Sequence, residues 1–215
     1  MKKLSTSKQM AINMVAAIVS FLIGTGINFV LAPYLVKELG SETYGFIGLA
    51  NNFVQYATIV TSALNSMSGR FISIEYSKGN IDKASRYFSS VLVADLIIAG
   101  VLLLVSSIIT FNIEFILNVP ENLVDSVKIL FAFTFATFII SVITAIFTTA
   151  AFVKNKLYIN SLRDIASNTL KLLLVVILFS FFPAKVYFLA MASLASGIFL
   201  LLTNIKVKNL SLIHI

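Results

Sequence analysis

Two ionisable side chains, Asp95 and Lys171, lie inside otherwise apolar runs. At the centre of a membrane helix either would cost about 2.5–3.5 kcal/mol. Neither belongs against lipid, so each is expected to face protein or a water-filled cavity. Asp95 lies nine residues past Arg86 and Lys171 eight past Arg163, which puts both about 12–14 Å along a helix from the same membrane edge. One reading makes them the lining of a transport cavity, as a pair. The other makes them a buried ion pair that fixes helix packing, and a single pair can do both. Between them in interest is a polar stripe: Asn51, Gln55, Ser62 and Asn65 or Ser66, with Thr58 close to the same line. Spacings near four and seven define one side of a helix. Amides are costly in lipid, so the stripe is expected to face inward, as a wall of a hydrated, sugar-compatible cavity; interhelical hydrogen bonding is the alternative. Asn13 and Asn28 could extend that surface.

Nothing points to bond-making chemistry. There is no cysteine, the one histidine is His214 in the terminal tail, and carboxylates do not cluster. No metal site, cofactor or catalytic residue is expected. Gly24-Thr25-Gly26 is not a dinucleotide loop, because no strand precedes it; it suits close helix approach, as do Ser193 and Gly197. Arg163-Asp164 reads as an interfacial anchor.

The elements that carry these residues follow from composition. Of 215 residues 59% are hydrophobic and 12% charged, and mean hydropathy is +0.98. The apolar residues fall into six runs, at about 10–36, 44–68, 87–112, 127–153, 161–182 and 186–205. Each approaches or exceeds the ~20 residues an α-helix needs to cross hydrocarbon. None alternates as a barrel strand would. The expected fold is all-α and membrane-integral, six helices in one bundle. The second helix is expected to continue past the membrane through Arg70–Ser77. Gly79 suits a left-handed helix end, and Asn80 can cap the next helix.

The net charge of +7 does not call for nucleic acid, because the cations sit at the ends of apolar runs. With the N-terminus inside, twelve Lys and Arg fall on the inner segments and three (Lys37, Lys128 and Lys185) on the outer ones. That bias predicts both termini in the cytoplasm.

Two stretches are familiar. Glu38 through Gly45 contains Leu39-Gly40 and Tyr44-Gly45 and resembles the Leu-Gly-x-x-x-Tyr-Gly signature of polysaccharide biosynthesis flippases. Arg70 through Asn80, continued by Asp82-Lys83 and Arg86 to Ser89, resembles that family's loop between helices two and three. The family, of the O-antigen translocase type, lies within the multidrug, oligosaccharidyl-lipid and polysaccharide exporter superfamily. The resemblance implies two helical bundles around a central cavity, alternating access, and transfer of a polyprenyl-pyrophosphate-linked oligosaccharide across the bacterial cytoplasmic membrane. It implies that cavity cations hold the pyrophosphate, with Lys171 and Arg70 as candidates, and that membrane lipid, a glycan polymerase and glycosyltransferases are partners. Members carry twelve to fourteen helices, so residues 1–209 are expected to be one N-terminal lobe whose C-terminal partner lobe is missing. Leu210–Ile215 reads as a translated sequencing adapter, a non-native tail. A cation-coupled drug antiporter of the same superfamily, or a non-transporting membrane scaffold, is the alternative.

Overall fold

The computed structural model describes residues 6–210, without the side chains of residues 6, 60, 63–68, 150 and 207–210. Every regular element among them is helical: α1 (Thr6–Leu39), α2 (Ser41–Ser77), α3 (Ile81–Phe111), the single turn α4 (Ile113–Ile116), α5 (Val124–Val153), α6 (Tyr158–Phe181) and α7 (Phe188–Leu210). A short 3-10 turn at Glu121–Leu123 leads into α5. The Leu210–Ile215 tail lies almost wholly outside the described residues.

Among the described residues five helices are long and apolar enough to cross a membrane: α1, α3, α5, α6 and α7. In lipid the helix satisfies its own backbone, which favours these long uninterrupted rods. Even Pro33 is carried inside α1. The sixth expected span falls on α2, which is not among these five; it is 37 residues long and so about 55 Å from end to end. That exceeds the hydrocarbon thickness of about 30 Å, and α2 does run on through Arg70–Ser77 as its composition suggests. Its polar stripe keeps it from reading as a simple apolar span.

Short connections reverse the chain. Gly40 (φ 80°) separates α1 from α2 and Gly79 (φ 82°) separates α2 from α3, both in the left-handed region that glycine enters without steric cost. Asn80 does not cap α3 with its side chain. Its amide instead donates to Glu75 Oε2 at 3.0 Å, because that carboxylate offers a charged acceptor one turn back. Lys78 and Lys83 also approach Glu75, at 3.3 and 3.7 Å. These groups close the hairpin, and the bond from Asn80, followed by the two lysines, holds the Glu75 carboxyl below its ordinary range.

The helices pack in the order α1, α6, α7, α5, α3, α2, with α5 against α2, α3 and α7 as the core rod. Two apolar clusters fill the end of the bundle that carries Gly40. One joins Phe46, Ile113, Val127, Phe131 and Val186; the other joins Leu31, Leu35, Val175, Phe179 and Phe188. Both share Leu39, Tyr44, Tyr187 and Leu189 at their margins. At the opposite, Gly79 end a third cluster of Ile72, Ala84, Phe88, Ile146 and Phe147 ties α2, α3 and α5.

Polar ties fasten α1 and α6 at the Gly79 end. Asn13 is buried; its amide donates to Asn155 Oδ1 and to the Asn155 carbonyl at 2.9 and 3.0 Å, and its Oδ1 accepts from the Tyr158 N–H at 3.1 Å. Arg163 is not a free interfacial anchor. Its Nη1 donates to Asn204 Oδ1 across the α6–α7 seam.

A candidate anion-binding cavity

Some of the candidate residues, carried on different helices, meet in one cavity. A cavity of about 590 Å³ opens between α1, α2, α5, α6 and α7. Lys171 enters it from α6, Asn28 from α1, Asn51 and Thr58 from α2, and Ser193 from α7. Lys171 Nζ donates to Asn28 Oδ1 at 3.1 Å. Among the described residues no carboxylate lies within ion-pair distance of it. An ammonium carries three donors, so one is spent on a neutral amide and two remain for whatever enters. The positive charge is oriented but not neutralised.

The fifth wall was not legible from residue chemistry. Thr134, Thr137 and Ser141 of α5 line the cavity, and with Thr144 and Thr148 they recur at spacings of three and four along one face. Each hydroxyl donates to a carbonyl three or four residues back, at 2.7–2.8 Å. Back-bonding makes such groups cheap inside an apolar helix while their oxygens can still accept from water. The spacing is the signal that was present; the surrounding Phe, Ile and Val mask it.

Other candidates lie elsewhere. Gln55 and Ser62 are exposed on α2 but are not part of the cavity wall. Asn65 lies outside the described side chains, as does Ser66. Arg70 is exposed and lines a separate pocket of about 810 Å³ at the Gly79 end, with Ser73, Thr148 and Asn160. Asp95 is 2% exposed and shares the buried face of α3 with Ala84, Phe88 and Ala99. That face packs on α2 and α5, away from the cavity. Since α3 and α6 do not touch, Asp95 and Lys171 form no pair within this chain. Asp95 Oδ2 has no hydrogen-bond partner among the described residues.

Gly24 does permit close approach: a Cβ there would lie 3.4 Å from Asn168 Nδ2, at the crossing of α1 and α6. Gly197 brings α7 to ordinary contact with Thr137 and Ile140 of α5, and Gly26 touches nothing.

An all-helical membrane protein, with a partly polar cleft and a lysine on its wall that has no ion-pair partner among the described residues, is the class that fold and site define. The chain belongs to the polysaccharide biosynthesis protein family, whose sequence profile matches residues 10–210. It is similar to a Bacillus subtilis (strain 168) protein described as uncharacterized membrane protein EpsK, with 33% identity over 187 residues, covering 87% of this chain and 37% of that protein. The chain therefore spans little more than a third of that relative's length. No solved structure matches it.

Proposed function

We propose that this chain is a six-helix lobe of a flippase, with α2 as the sixth span, that moves a polyprenyl-pyrophosphate-linked oligosaccharide across the bacterial cytoplasmic membrane by alternating access. The lobe sits with both termini inside and faces a second lobe across the cavity. Membership of the polysaccharide biosynthesis family supports the substrate class. The single observation that carries the reading is Lys171, held by Asn28 in a polar cavity without a counter-ion. An aqueous cleft bounded by low-dielectric walls strengthens the attraction between an ammonium and a diphosphate well beyond its value in open water.

Charge reversal tests this. Lys171→Glu in the intact protein is expected to abolish surface glycan export while membrane abundance stays within about twofold of wild type. Normal export with normal insertion would remove Lys171 from the substrate path.

A further inference from the structure

A second polar pocket, of about 360 Å³, lies between α1, α6 and α7 and shares Asn28 with the Lys171 cavity. Ser20 and Thr25 come from α1, and Asp164, Ser167 and Asn168 from α6. Asp164 precedes Lys171 by seven residues, two helical turns, so both lie on one face of α6 about 10 Å apart along the axis. Its carboxylate is exposed and makes no hydrogen bond among the described residues. Of its neighbours, Ser167 donates to the Ser196 carbonyl at 3.1 Å and Asn168 donates to the backbone carbonyl of Asp164 at 2.9 Å. Each spends one donor inside the protein, and the pocket offers its visitor a carboxylate beside the remaining N–H groups of Asn168 and Asn28 and the Ser20 and Thr25 hydroxyls, which donate or accept.

We infer that this pocket is a saccharide subsite, in which Asp164 accepts hydroxyl or amide N–H groups of the sugars nearest the diphosphate, with Asn28 at the junction. The inference rests on the flippase reading. A carboxylate among neutral amides and hydroxyls disfavours phosphate and suits the mixed donors and acceptors of a carbohydrate. The order cation, amide, carboxylate along the cleft matches the order diphosphate, linkage, sugar in the ligand. It also fixes polarity: the diphosphate sits deeper, at Lys171, and the glycan points toward the Gly79 end. Selection for a glycosylated over a bare carrier lipid then resides in Asp164. A carboxylate that replaces water as acceptor from a hydroxyl contributes enough for about a tenfold preference.

The test uses the intact protein in lipid nanodiscs and two probes, a short-chain polyprenyl diphosphate and the same lipid bearing one N-acetylhexosamine. Wild type is expected to bind the glycosylated probe about tenfold more tightly. Asp164→Asn should weaken that probe and slightly tighten the bare one, because a like charge has gone, so the preference collapses. Thr25→Val, nearly isosteric on the opposite wall, should lower the preference in the same direction and serves if Asp164→Asn does not fold. Equal binding of both probes by wild type, or an unchanged preference in both variants, overturns the subsite. Lys171→Gln reports on the underlying reading separately: it should weaken both probes alike, and unweakened binding of the bare diphosphate would refute the anion site whatever Asp164 does.

Discussion

The ammonium of Lys171 has three protons, and Asn28 accepts one of them. Had a carboxylate stood at position 28, the pair would be closed to an anion; an amide orients the cation and leaves its charge available. Asp95 stands differently: it is buried on α3, a helix that packs on α2 and α5 and does not reach α6. Glu75 is a third kind of charge, a clasp at the α2–α3 hairpin. Its carboxyl is held below the ordinary range, first by the Asn80 amide. A depressed carboxyl stabilises the folded state above the unfolded pKa and ceases to do so as pH falls through the folded value. The hairpin clasp is therefore expected to be intact at neutral pH and to loosen below about pH 4.5. Protection against amide hydrogen exchange across Lys78–Ala84, taken relative to the intrinsic rate at each pH, should fall there in wild type, and at every pH in Glu75→Gln. Slow exchange in the variant at neutral pH would show that the clasp contributes nothing.

At the scale of elements, the helices and their ends follow from run length and from Gly40 and Gly79, and those features are plain in the chain. What each helix presents to its neighbours is less plain. Asn13 and Asn28 look alike as polar positions in an apolar run, yet one is consumed by Asn155 and Tyr158 and the other meets Lys171. Only the packing order distinguishes them. The hydroxyls of α5 were hidden for a chemical reason, since back-bonded Thr and Ser pass for apolar residues in hydropathy. The approach of α1 to α6 at Gly24 was legible because small residues have few other uses in a membrane helix. It yields a size test. Gly24→Ala should be tolerated, since its methyl meets Asn168 at 3.4 Å. Gly24→Leu should overpack the crossing at a cost of about 1–3 kcal/mol and lower the melting temperature of the detergent-solubilised protein. Equal melting temperatures would mean that the crossing is looser than described.

For the whole molecule, two features set the design: an apolar exterior that makes lipid the solvent, and an interior cavity partly lined by amides, hydroxyls and one lysine. Positive charge at alternate connections predicts the inward orientation, and family membership supplies the biosynthetic setting, neither of which packing alone provides. The pairing of Asp95 with Lys171 was a reasonable expectation from depth, but depth does not say which helices are neighbours, and α3 and α6 stand on opposite sides of α5 and α7. These 215 residues hold no cysteine, so a single cysteine placed in them, with any in the second lobe replaced, reports its own surroundings. Single cysteines at Asn51 and Ile97 are labelled with a membrane-impermeant maleimide in inside-out vesicles, with and without inorganic pyrophosphate. The account predicts that Asn51→Cys reacts and Ile97→Cys, on the exposed apolar side of α3, does not, and that pyrophosphate protects Asn51→Cys only when Lys171 is present. Equal reactivity at the two positions, or protection that survives Lys171→Gln, would contradict it.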